Sequence, residues 1–129
     1  MKILIVDNDA STITTLKALL SSEITFKIDA AYSGQESLDK MTASPDYDLV
    51  LMDVMMPNMS GMDVCKIMGK DPRLQTIPVL IMSSAVPIPP EEFYESLKKS
   101  GSLNVIKGVL EKPFTSENLF SQINKTARK

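Results

Sequence analysis

The polar residues Asp7, Asn8 and Asp9 follow an apolar run from Ile3 to Val6, and another acid, Asp53, follows a second run from Leu49 to Met52. Carboxylates at strand ends can hold a hard cation, accept a group covalently or move a proton. The hydroxyls Ser83 and Ser84 come after the run Val79 to Met82, and Lys112 with Pro113 comes after Val109 and Leu110. The chain has no histidine. That removes Ser-His and Cys-His nucleophiles, imidazole metal sites and any phosphohistidine carried by this chain. Carboxylates, hydroxyls, lysine and a hard metal ion remain. Taken alone, Asp7, Asn8 and Asp9 read equally well as a polar loop leading to a helix cap, and Ser83 or Lys112 alone reads as structural or solvated.

The elements that must position them are legible. Five apolar runs, Ile3 to Val6, Phe26 to Ala31, Leu49 to Met52, Val79 to Met82 and Val109 to Leu110, alternate with helical patterns. Alternation of this kind predicts βα units around a parallel sheet. A helical stripe runs through Ile13, Leu16, Leu19 and Leu20. Ser33 with Glu36 predicts a capping box ahead of Leu38 and Met41. Ser60 is placed to cap a helix carrying Val64, Ile67 and Met68. Pro89 and Pro90 before Glu91 and Glu92 predict a further helix that stops at Gly101. Thr115 is placed to cap the last, with Leu119, Phe120 and Ile123 inward and the terminal "KTARK" fraying. Right-handed connections place the first and third strands side by side at the centre and the second at the edge. Asp7 and Asp53 then face one crevice at the carboxyl edge of the sheet, where open α/β sheets bind ligands.

Composition narrows the function. At 129 residues the chain fits one domain, residues 1–129. A formal net charge of -2 and a pI near 5.1 give no electrostatic case for nucleic acid or an anionic membrane. No run is long enough to cross a bilayer, and no signal peptide is legible. The one cysteine, Cys65, cannot form an internal disulfide, which fits a reducing cytoplasm. In its helical pattern it reads as a small packed hydrophobe.

Together the motifs "ILIVDND", "LVLMDVMMPNMSGMDVC", "IPVLIMSS" and "LEKPF" resemble the receiver domains of two-component response regulators. They occur in the family's order over nearly the whole chain. The resemblance implies a five-stranded parallel sheet in the flavodoxin-like order 2-1-3-4-5, with helices on both faces. It implies that Asp53 is the phosphoacceptor, taking a phosphoryl group from a histidine kinase or a histidine phosphotransfer protein. Magnesium would be held by Asp7, residue 8, Asp53 and the backbone carbonyl of Met55. Ser83 would bond the phosphoryl group, Lys112 would supply positive charge, and the Lys112–Pro113 bond would be cis. The product then switches binding to a downstream protein or a fused output domain.

Three departures qualify that expectation. Asn8 replaces an acid that is normally a direct magnesium ligand, so the metal is expected to be held weakly, with Asp9 as an auxiliary candidate. Val109 takes the switch position where many members carry Tyr or Phe. The interval from Ser83 to Lys112 is longer than usual; its Leu103, Val105 and Ile106 are read as covering the space Val109 leaves. Ser84 is a second auxiliary hydroxyl. Met52, Met55, Met56, Met59 and Met62 cluster around Asp53 and read mainly as core, with some available as an adaptable docking surface. An apolar Met55 two residues beyond the acceptor suggests slow loss of the phosphoryl group.

Two rival readings stand beside this one. A pseudo-receiver, an interaction module that is never phosphorylated, accounts for Asn8 and Val109. A phosphatase resembling the haloacid dehalogenases would use Asp7 as nucleophile and Asp9 as general acid. That family needs a further acidic motif after its lysine, and the only acid after Lys112 is Glu117, inside the predicted last helix.

Overall fold

The computed structural model describes residues 1–83 and 105–127. Its strands are β1 (Lys2–Val6), β2 (Lys27–Ala31), β3 (Leu49–Asp53), β4 (Val79–Ser83) and β5 (Ile106–Glu111). The described helices are α1 (Ala10–Leu20), α2 (Gly34–Ala43), α3 (Gly61–Lys70) and, labelled α4 here, Ser116–Thr126. All neighbouring strands pair in parallel, in the order β2-β1-β3-β4-β5, as the resemblance implied. The second strand is at the edge, and β1 and β3 are adjacent with Val6 opposite Met52. No described helix is long and apolar enough to cross a membrane.

Strand residues alternate between two apolar layers. Leu4, Val6, Val50, Met52, Val79 and Ile81 pack toward Leu38, Met41, Val64, Cys65 and Met68 of α2 and α3. Ile3, Ile5, Leu49, Leu51, Leu80, Met82 and Leu110 pack toward Ile13, Leu16 and Leu20 of α1 and Leu119 and Ile123 of α4. Each large apolar side chain removed from water this way contributes about 1.5–3 kcal/mol before the entropic cost of ordering it. With helices on both faces, the three central strands are apolar along their length and free to place polar groups only at their ends.

Several details depart from the sequence reading. Ile67, read as part of the inward stripe of α3, is 43% exposed, whereas Cys65 is fully buried as a small packed hydrophobe should be. The last strand begins at Ile106, three residues before Val109; Lys107 and Gly108 interrupt its apolar run, and a register shift opposite Val79 and Leu80 accommodates them. The final helix persists to Thr126, and Thr126 and Ala127 are buried rather than part of a fraying, solvated end. Ser33 does cap α2, but the Glu36 carboxylate accepts from the N–H of Tyr32 and leaves that of Ser33 alone. The reciprocal capping box occurs instead on α3, between Ser60 and Asp63. The predicted helix from Pro89 to Gly101, together with Ser84 and Leu103, lies outside the described residues.

Candidate functional site

Asp7 follows the last residue of β1 and is 1% exposed. Its backbone N–H donates to the Ala31 carbonyl at 3.1 Å, prolonging the β1–β2 ladder by one residue and fixing the carboxylate at the sheet edge. Asp53 is the last residue of β3, 5% exposed and paired with Met82 of β4. Beyond it the chain turns sharply into α3, and the Gly61 N–H donates to the Val54 carbonyl at 3.1 Å. Within this connection Asn58 has φ 70°, a left-handed conformation that asparagine tolerates better than most residues.

Lys112 joins the two acids. Its Nζ lies 3.0 Å from Asp7 Oδ2 and 3.5 Å from Asp53 Oδ1. The lysine backbone N–H donates to the Ser83 carbonyl at 2.7 Å, which ties the end of β5 to the end of β4. The Lys112–Pro113 peptide bond is cis. Ser83, 5% exposed, closes β4 beside this group.

The electrostatics follow from burial. Removal from water pushes the Asp53 carboxyl up from its ordinary value, and repulsion from Asp7 adds to the rise. Lys112 and the backbone N–H of Met55 act in the opposite direction without cancelling it. Asp7 has both oxygens engaged: Oδ2 by Lys112, and Oδ1 by the backbone N–H of Asp9 at 2.9 Å.

The remaining candidates are spread more widely. Asp9 is the N-cap of α1, accepting from the Ser11 N–H at 3.0 Å, the Ser11 hydroxyl at 2.8 Å and the Thr12 hydroxyl at 3.2 Å. The Ser11 hydroxyl leads the hydrogen bonds that hold its carboxyl below the ordinary value. Asn8 is exposed in the turn between Asp7 and Asp9. Val109, opposite Ile81, is half-buried. Val105 and Ile106 are buried in the layer beneath α2 and α3. Of the clustered methionines, Met52 and Met56 are buried, Met59 and Met62 pack partly buried against the core, and only Met55, 70% exposed, is free to meet a partner.

Asp7 and Asp53 present hard oxygen donors, as do the Asn8 amide and the Met55 carbonyl. This donor chemistry suits magnesium, which commonly binds one or two carboxylates and completes its shell with water and phosphate oxygens. Among the described residues, no group of three or more His, Cys, Asp or Glu is gathered for a metal. Beside Lys112, a groove of about 280 Å³ runs between α1 and the β5–α4 connection, lined by Thr12, Thr15, Leu16, Leu19, Pro113 and Phe114. Its lining draws on segments far apart in sequence, so no local motif announced it.

Residues 3–124 match the family model described as response regulator receiver domain. The response regulator ArlR of Staphylococcus haemolyticus is 29% identical over 127 residues, covering 98% of this chain and 52% of that protein. ArlR of Staphylococcus aureus is likewise 29% identical, with 99% and 53% covered. The chain thus spans about half the length of these curated relatives. Among solved structures, Vibrio cholerae chemotaxis protein CheY4 superposes with a TM-score of 0.78 at 26% identity, covering 95% of each chain. The N-terminal domain of a response regulator receiver protein from Methanoculleus marisnigri gives 0.72 at 32% identity, with 95% and 93% covered. With its sheet order and its strand-end acids beside Lys112, this chain belongs to the response regulator receiver domain family.

Proposed function

We propose that this chain is a working phosphoacceptor, with Asp53 taking a phosphoryl group from a histidine kinase or histidine phosphotransfer protein in the cytoplasm. The observation that carries this reading is that Lys112 Nζ lies within 3.5 Å of both Asp7 and Asp53 at one sheet edge. A carboxylate oxygen of Asp53 attacks phosphorus in line, a P–O bond forms, and the donor's P–N bond breaks with its electron pair leaving on imidazole. Phosphoryl transfer asks the protein for position and charge neutralisation rather than for a proton shuttle, so the lack of histidine is no obstacle. Lys112 provides a fixed positive charge next to the acceptor, and Ser83 provides a hydroxyl for the transferred oxygens. Magnesium, when bound by Asp7, Asp53, the Met55 carbonyl and residue 8, neutralises phosphoryl charge.

The groove beside Lys112 suits the apolar face of a helix that carries the donor histidine. Met55 has no polar group with which to orient a water for attack on the acyl phosphate, so the phosphorylated form persists. The downstream receiver of the signal is a protein or a fused output domain, engaged through the face that includes Val109. The pseudo-receiver alternative draws on Asn8 and Val109, but it leaves the costly burial of two acids beside a lysine without a purpose. Incubation with acetyl phosphate and magnesium, followed by intact-mass spectrometry, separates the two. A working receiver gains the mass of one phosphoryl group, and a pseudo-receiver gains none.

A further inference from the structure

β2 ends the sheet on one side, and its pairing with β1 uses only half of its backbone groups. The Lys27 N–H donates to the Met1 carbonyl and the Ala31 carbonyl accepts from Asp7, so the odd-numbered residues of β2 turn toward β1. Backbone groups alternate along a strand, and those of Ile28, Ala30 and Tyr32 therefore turn outward. An open row of this kind is a template for another strand. Here it meets two side chains of α2. Lys40 Nζ donates to the Ala30 carbonyl, and the Glu36 carboxylate accepts from the Tyr32 N–H at 3.2 Å. Four residues apart, Glu36 and Lys40 share one side of the helix, and both are half-buried.

We propose that Lys40 is a latch on the β2 edge, and that its release lets β2 pair antiparallel with β2 of a second copy of this chain. An incoming strand would lie about 4.8 Å from β2, so its backbone would need the space that the Lys40 ammonium occupies. A second copy is the occupant because a two-fold pair must be self-complementary, and the charges of β2 are. Outward residues must meet outward residues. With Ile28 opposite Ile28, Lys27 of each copy faces Asp29 of the other, which gives two opposite-charge pairs on one face and an apolar pair on the other. Shifting one strand by two residues sets Asp29 against Asp29, so the charges select the first register. Lys27 and Asp29 are both exposed, and Asp29 has a second oxygen beyond the Oδ2 that accepts from the Tyr47 hydroxyl at 2.7 Å. Lys40 thereby keeps the chain single until its ammonium is removed from the edge.

The test is sedimentation velocity of the full chain over a wide concentration range, with circular dichroism to check folding. Wild type, Lys40→Arg, Lys40→Met and the double variant Lys40→Met, Asp29→Asn are compared; Lys40→Gln replaces Lys40→Met if the latter folds poorly. Forming the pair breaks two Lys40 hydrogen bonds, each corresponding to roughly a factor of ten, so Lys40→Met should self-associate roughly a hundredfold more tightly than wild type. Lys40→Arg should behave as wild type. Asp29→Asn keeps an acceptor for Tyr47 and should weaken the Lys40→Met pair. Adding Ile28→Cys to Lys40→Met reads the register, because opposed residues of a hydrogen-bonded pair lie about 5.5 Å apart at Cα, within disulfide range. Mild oxidation should then link the two copies, and Cys65 is buried and does not compete. A wild type that already pairs through β2 would overturn the proposal, as would a Lys40→Met protein that stays monomeric at every concentration. So would a dimer that Asp29→Asn does not weaken and that Ile28→Cys does not cross-link.

Discussion

Gly61 approaches the backbone of Asp53 so closely that a Cβ on residue 61 would stand 2.2 Å from the Asp53 carbonyl oxygen. The obstacle is main chain at the end of a central strand, so it cannot move without shifting β3. Gly61→Ala is therefore expected to push α3 away from the acceptor and to cost about 1–3 kcal/mol. Urea unfolding checks the loss, and the rate of labelling by acetyl phosphate should fall with it. An alanine variant of wild-type stability would mean that α3 slides freely over the strand end.

The sheet edge was legible because chemistry and periodicity agree there. Runs such as Ile3 to Val6 must be buried on both faces, which leaves Asp7 and Asp53 at strand ends wherever the right-handed connections lead. Distances were not legible: nothing in the sequence says that Lys112 lies nearer to Asp7 than to Asp53. The choice between a cap and a ligand for Asp9 was equally hidden, since an acid after a strand serves either purpose until the Ser11 and Thr12 bonds are seen. Ile67 faces outward because three- and four-residue spacings both satisfy a helical stripe, and only the neighbours of α3 decide between them. The β5 boundary was lost for a similar reason, since Lys107 and Gly108 look like a turn until the register shift is drawn.

Asp53 works against the stability of the metal-free fold. Its raised pKa means that the folded chain holds the proton more tightly than the unfolded chain does. The stabilisation from protonated Asp53 is complete below the unfolded value of about 3.9 and is lost as pH rises through the folded value. At neutral pH, Asp53→Asn should then stabilise the metal-free protein, raising its urea midpoint. The difference should shrink in mildly acid solution. A less stable variant at neutral pH would show that attraction to Lys112 outweighs the cost of burial and the repulsion from Asp7.

Met55 is 70% exposed two residues past the acceptor and has no group that can hold an attacking water. Replacing it by asparagine adds a donor and an acceptor at little packing cost. Once phosphodonor is removed, Met55→Asn should lose the phosphoryl group several-fold faster than wild type, with Asp53 labelled to the same extent at the start. Time courses of intact mass measure this. Equal decay rates would mean that this side chain does not reach the path of the water.

On the phosphoacceptor reading, Asp53 and no other acid becomes the acyl phosphate. Reduction with borohydride after brief exposure to acetyl phosphate and magnesium converts a phosphorylated aspartate to homoserine, which peptide mass mapping locates. Homoserine is expected at position 53 alone. Homoserine at position 7 would support the phosphatase-like chemistry instead, and its absence from every position under saturating phosphodonor and magnesium would contradict the phosphoacceptor reading.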